Sequence, residues 1–195
     1  DPGTTNIIDI FLVTSAYYTA YQNYVKDSTG TVLQPAQPTI DELTTSYSTL
    51  NDYKMISDNI ILNSAIFKPL FGTKSAPELR ATIKCVKNPT STVSTSEIKS
   101  QVVAAMNQYF TIENWDFGDT FFFSELSAYL HDQLGSIIST VVLVPTDPLK
   151  SFGDLYEIRS QPSEIFVNAA TVNDVEVISA LTSSQLRTAP NSGVV

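Results

Sequence analysis

Between two helix-patterned segments lies the run Phe110 to Phe123, FTIENWDFGDTFFF, and it constrains the fold more than any other part of the chain. It holds the only tryptophan and five of the ten phenylalanines, and no histidine, cysteine, lysine or arginine. Rings of that size drive burial, at roughly 1.5–3 kcal/mol for each phenylalanine taken fully out of water. Asn114, Asp116, Gly118 and Asp119 punctuate the run with turn formers. The combination predicts a corner that packs two helices against a sheet. Trp115 and Phe117 anchor that corner, Gly118 permits the turn, and Asp119 or Ser124 caps the helix that follows. A stretch so apolar and so poor in nucleophiles is material for packing, not for catalysis.

A chain of 195 residues forms one ordinary domain or two small ones sharing a core. An apolar share of 43% and a mean hydropathy near zero mark it as globular and not disordered. Only 16% of residues are charged, below the usual quarter, so hydroxyls and amides take up much of the surface. Such a surface suits a protein covered by partners, and equally a secreted or viral protein with Thr-rich strands. The net charge is −9, and the 11 basic residues are spread singly. No cluster is available to displace counterions from a phosphate backbone, so nucleic acid is not an expected partner. Cys85 stands alone, cannot form an internal disulfide, and points to a reducing compartment during folding. No apolar run reaches the ~20 residues of a membrane span; the longest, Ile137 to Val144, is strand-sized. No signal-peptide pattern is present, and the opening DPGTTN is expected of a processed chain or a piece of a larger protein.

Periodicity along the chain predicts an α+β fold in the order β-α-α-β-β-α-α-β-β-β-β, with two helical pairs packed on mainly antiparallel or mixed sheets. A strand over Asn6 to Thr14 leads into a helix from Ser15 carrying Tyr17, Tyr21, Tyr24 and Val25 on one face. A loop with Gly30, Pro35 and Pro38 precedes a second helix, opened by the capping box Thr39-x-x-Glu42 and running through Ile40, Leu43, Tyr47 and Leu50 to Lys54. Asn59 to Phe67 and Glu78 to Lys87 are expected as strands, the second alternating as though one face were wet. Ser94-x-x-Glu97 opens a helix whose stripe is Ile98, Val102, Val103, Met106, Tyr109 and Phe110. After the corner, a helix from Ser124 ends at Gly135 in a left-handed cap, and Ile137 to Val144 forms a central strand stopped by Pro145. Leu155 to Ser160, Ser163 to Asn168 and Val172 to Ile178 follow as short strands. The boundaries read as a first α+β subdomain over 1–78, a second over 79–180 and a flexible tail over 181–195.

Residues that could be taken for a catalytic site have simpler explanations. His131 sits beside Asp132, with Ser127 one turn back, but this is a helix surface and a histidine there favours the negative end of the helix dipole. Glu113, Asp116 and Asp119 lack the spacing of a calcium loop and serve turns and caps. Glu157, Glu164 and Glu176 fall on separate strands, without histidine partners. The glycines are isolated, with no phosphate loop or dinucleotide fingerprint. No catalytic residue, metal or cofactor is therefore expected. The tyrosine face of the first helix, Tyr17, Tyr21 and Tyr24, suits either the core or a subunit interface, because each ring is apolar and ends in a hydroxyl.

Five segments, taken in order, resemble the baseplate J-like superfamily of contractile injection machines, in particular the C-terminal region of baseplate wedge proteins of large contractile-tailed bacteriophages. They are ELRATIKCVK, SEIKSQVVAAMNQYF, ENWDFGDTFFFSELSAYLHDQLG, IISTVVLVP and SEIFVNAATVNDVEVI, spanning Leu79 to Ile178. The opening DPGTTNIIDIFLVT is similar to the segment that precedes them in that family. The resemblance implies a structural scaffold without catalytic residues, located in the virion's tail baseplate after assembly in the host cytoplasm. Its implied partners are further copies of itself, as a homodimer or in ring contacts, and other wedge proteins, with no membrane insertion. A phage-derived device such as a bacteriocin-like particle or secretion baseplate stands as the alternative. A receptor- or carbohydrate-binding module is a further one, suggested by the Tyr, Asn and Thr content.

Overall fold

A computed structural model describes residues 7–50, 59–153 and 156–178, and shows a mixed α+β protein. The strands are β1 (Ile7–Leu12), β2 (Asn59–Ser64), β3 (Ile66–Leu70), β4 (Ala81–Lys87), β5 (Thr120–Phe122), β6 (Ile138–Pro145), β7 (Glu157–Arg159), β8 (Glu164–Asn168) and β9 (Val175–Ile178). Four helices are interspersed: α1 (Ser15–Lys26), α2 (Ile40–Ser46), α3 (Thr95–Tyr109) and α4 (Phe123–Leu134). Among the described residues the strands form four small sheets, ordered β1-β2, β3-β8, β6-β4-β9 and β5-β7.

Three of the five pairings, β1 with β2, β3 with β8 and β4 with β9, are parallel, which corrects the expectation of mainly antiparallel sheets. The cause lies in connections that local alternation does not reveal. The expected single strand over Asn59 to Phe67 is two strands: it breaks at buried Ala65, after which β2 pairs with β1 and β3 with β8. The β3–β8 pairing also crosses residue 78, so the two halves of the chain share a sheet.

β4 is the centre of its sheet, antiparallel to β6 and parallel to β9. The alternation of Arg80, Thr82 and Lys84 suggested a wet face, yet Lys84 and Val86 are buried along with Ile83 and Cys85. The Lys84 ammonium approaches the Glu176 carboxylate at 3.5 Å from the neighbouring strand, which is how a lysine is tolerated there. β6, expected to be central, is an edge strand and runs through Pro145, a position that edges accommodate because a lost donor there breaks no inner ladder. α3 and α4 pack against each other, α3 on β9 and α4 on β6.

Local chemistry sets the helix limits. Thr14 caps α1 by accepting the Tyr17 N–H at 3.2 Å. Thr39 and Glu42 form a complete capping box on α2, whereas Ser94 makes only half of one on α3; Glu97 instead accepts the Gln101 amide at 2.8 Å. α2 stops at Ser46, because Tyr47 leaves the helical conformation and its hydroxyl donates to the Val13 carbonyl. Residues 48–50 continue as a short 3-10 turn; the remainder of that expected helix, from residue 51 through Lys54, lies outside the described residues, and so does the tail. α4 begins at Phe123 with Phe122 at the cap, so neither Asp119 nor Ser124 caps it. Gly135 is right-handed, at φ −60°, and not the left-handed cap expected. A Cβ there would lie 2.7 Å from the His131 carbonyl oxygen, so close packing is what the site demands.

The larger core gathers α3, α4 and the β6-β4-β9 sheet around four fully buried rings, Phe71, Phe110, Phe121 and Phe166, with Phe123 beside them. Phe71 sits just past β3 with φ +76°, a backbone conformation that a bulky side chain rarely adopts. The next residue, Gly72, has no room for a side chain: a Cβ would fall 1.7 Å from the Ala169 carbonyl oxygen. Gly72→Ala is therefore expected to cost about 3 kcal/mol or more by overpacking against backbone. Gly30→Ala is the control, since Gly30 has φ +74° and open space around it, and should cost only about 1–2 kcal/mol. Urea unfolding of the two variants, followed by circular dichroism, measures the difference.

Candidate functional site

The corner begins where α3 ends. A 3-10 turn over Ile112–Asn114 leads to Trp115 in extended conformation, and the Asp119 carboxylate then accepts the Asp116 N–H at 2.8 Å to close the reversal. Gly118 takes φ +78°, as its place in the turn requires, and donates its N–H to the Glu164 carbonyl at 3.3 Å. The chain next enters β5, a strand absent from the sequence reading, which pairs with β7. The corner is thus a strand inserted between two helices, where a simple turn was expected.

Trp115 stacks on Phe110 at 5.4 Å and 11°, and meets Tyr109 and Phe166 edge-on. Its indole N–H donates to the Tyr109 carbonyl at 3.0 Å. Trp115 packs against both core clusters, the larger one and a smaller one built from α1, β3 and β8; Phe117 joins only the smaller, with its ring 6.0 Å from Phe11. The two anchors named from sequence therefore hold different parts of the molecule.

Tyr17 and Tyr21 lie in that smaller core, 6% and 3% exposed, with their rings 5.0 and 4.7 Å from Phe67. Burial raises both hydroxyl pKa values above the ordinary tyrosine value. Of the three tyrosines considered for an interface, only Tyr24 is half-buried, with the Lys74 ammonium 4.6 Å over its ring. Tyr17 and Tyr21 are core material, and Tyr24 lies at the edge of that core.

The groups that could have carried chemistry are dispersed. His131 is exposed in the last turn of α4, and among the described residues no hydrogen bond joins it to Asp132 or Ser127. Glu157 pairs with Arg159 at 2.8 Å, Glu164 with Lys68 at 3.0 Å, and Glu176 faces Lys84. Among the described residues, no group of three or more His, Cys, Asp or Glu side chains is placed to hold a metal ion. No helix among them is long and apolar enough to cross a membrane.

Two surface features escaped sequence reasoning. The first is the β1–β2 pair. Among the described residues these two parallel strands form a sheet of their own, with α2 packed on β2 and the Phe11 ring against Phe117; no described side chain of either strand is buried, and Ile7, Ile8 and Ile61 are 51%, 39% and 40% exposed. The second is an open cleft of about 460 Å³ on the outer side of the corner, walled by Tyr109, Trp115, Phe122 and Tyr129 with Asp119 and Glu125 between them. No periodicity connects these residues, which come from α3, the corner and α4.

The Cys85 thiol is buried in β4 and pushed up to about 12 by desolvation. It should resist a thiol-reactive dye at neutral pH in the native protein and react only in denaturant, a difference that absorbance kinetics measure directly. Fast labelling of the native chain would contradict this account of β4.

Compared with known proteins, the chain matches no family model and no curated sequence.

Proposed function

We propose that the chain is a structural component of a phage tail baseplate wedge, located in the virion and acting through subunit contacts in the ring around the tail tip. The observation that carries the assembly reading is the part-covered β1–β2 pair. Parallel strands occur almost only with both faces covered, and a two-stranded sheet is marginal by itself in water. A parallel pair that leaves Ile7, Ile8 and Ile61 open on the surface is the expected state of a subunit described apart from its neighbours. The ordered set of segments from Leu79 to Ile178 supports placing that assembly in a contractile baseplate. The same support extends to a phage-derived contractile device, which is the alternative.

Sedimentation velocity tests the reading. The chain is expected to associate, at least to a dimer, at micromolar concentration. Ile7→Lys and Ile61→Lys are expected to weaken association about tenfold or more while leaving thermal unfolding within about 0.5 kcal/mol, since both are exposed. A monomer at all concentrations, or full association by the variants, would remove the β1–β2 pair as the contact. Replacing His131, Asp116 or Glu164 by alanine should leave association intact.

A further inference from the structure

We infer that the cleft at the aromatic corner is a docking site for a guanidinium group, supplied by an arginine side chain of a partner polypeptide. The inference starts from which polar atoms the cleft leaves available. Asn114 spends its amide N–H groups on the Gln108 and Tyr109 carbonyls, at 3.1 and 3.3 Å. Trp115 spends its only donor on the Tyr109 carbonyl. The Glu125 carboxylate has no hydrogen-bond or ion-pair partner among the described residues, and Asp119 uses one carboxylate oxygen on the Asp116 N–H. The Asn114 side-chain carbonyl is also uncommitted. Apart from the Tyr109, Thr120 and Tyr129 hydroxyls, which can donate or accept, the polar side-chain atoms left open in the cleft among the described residues are therefore acceptors.

Acceptors carrying two negative charges, set among aromatic rings and with no lysine, arginine or histidine in the lining, select a ligand that is cationic, rich in donors and able to lie against a ring. A guanidinium meets all three conditions: it is planar, carries five donors and no acceptor, and is weakly hydrated for a cation. An ammonium satisfies the charge but not the stacking. A saccharide would bring hydroxyls that need donors as well as acceptors, and with its amide and indole donors committed the cleft has only the Tyr109, Thr120 and Tyr129 hydroxyls to give, while both carboxylates would go without a counter-charge. Charge complementarity extends to the whole chain, whose net charge is −9. Glu125 also raises the Tyr109 hydroxyl pKa, secondary to burial, so its unneutralised charge reaches the cleft wall.

The cleft exceeds the volume of a single side chain, and Phe122 remains 37% exposed on its wall, offering contact to residues flanking the arginine. That the arginine belongs to a polypeptide rests on the assembly reading above; the selectivity of the cleft for guanidinium does not.

Trp115 is the only tryptophan, so its fluorescence reports on the cleft directly. The 195-residue chain is titrated with a capped Gly-Arg-Gly peptide, with the citrulline peptide of the same shape but no charge, with free guanidinium chloride and with a chito-oligosaccharide. Saturable change in emission with the arginine peptide, much weaker change with citrulline, and roughly tenfold weaker binding to Glu125→Gln and to Asp119→Asn are expected. Both variants keep side-chain size, and asparagine retains the oxygen that accepts the Asp116 N–H. Equal response to citrulline, a response to the oligosaccharide alone, or no saturable response to arginine would overturn the inference. Free guanidinium binding as tightly as the peptide would overturn the polypeptide source. Sedimentation of the same samples separates the two readings. A monomeric chain that still selects arginine keeps the cleft and sinks the assembly proposal. An associating chain whose emission arginine leaves unmoved does the reverse.

Discussion

The structure depends on one close approach, that of Gly72 to the Ala169 carbonyl, with Phe71 forced into a left-handed backbone beside it. The turn drives the Phe71 ring into the centre of the larger core, within 6.0 Å of Phe110, Phe121 and Phe123 by ring centroid. A strained residue persists only where its surroundings over-determine it, and here the surroundings are rings contributed by the end of α3, by β5 and by the start of α4. The same chain reversal brings β3 beside β8, so the local strain and the long-range pairing are two aspects of one arrangement. Removing the ring would leave a hole that three different elements meet, and few neighbours could relax into it.

Trp115 extends that arrangement to the smaller core. It lies flat on Phe110 on one side and reaches the cluster around Phe67 and Ile165 on the other, so the corner adds a side-chain link between two packing units that the β3–β8 ladder already joins, Phe166 belonging to the larger and Ile165 and Val167 to the smaller. The consequence for the surface is direct. Donors spent inside the corner to satisfy carbonyls at the end of α3 are unavailable outside it, and acceptors, ring edges and three hydroxyls are what remain in the cleft. The character of the cleft follows from how the helix end was closed.

The sequence made the helices legible because their starts are decided locally: Thr14, Thr39 and Ser94 each accept a backbone N–H three residues on. The aromatic run was likewise readable as a packed corner, since no fold leaves so many rings in water. What stayed hidden was decided at a distance. Nothing near Ala65 announces that β2 and β3 serve different sheets, and nothing in the alternation of β4 reveals that strands lie on both sides of it. Phe71 and Gly72 carried a faint signal, because a glycine closing an apolar strand often marks a bulge or a close backbone approach. The tyrosine stripe illustrates the same limit, for periodicity shows that three rings share a face and is silent on whether Phe67 is waiting beneath it. The candidate cleft was illegible for a further reason: its walls come from three elements, and its chemistry depends on which donors are already occupied.

The parallel pairing of β3 with β8 sets a schedule for the chain as it is made. Ile66 meets Glu164, so Phe67 and the tyrosines of α1 cannot be covered until about a hundred further residues have left the ribosome. Until then the nascent chain carries a sticky aromatic surface between Tyr17 and Phe67, and distant pairings of this sort are slow to find. A sparsely charged, hydroxyl-rich sequence offers little repulsion to protect that interval. The time taken to make the stretch from Phe67 to Glu164 thus sets how long that surface stays uncovered.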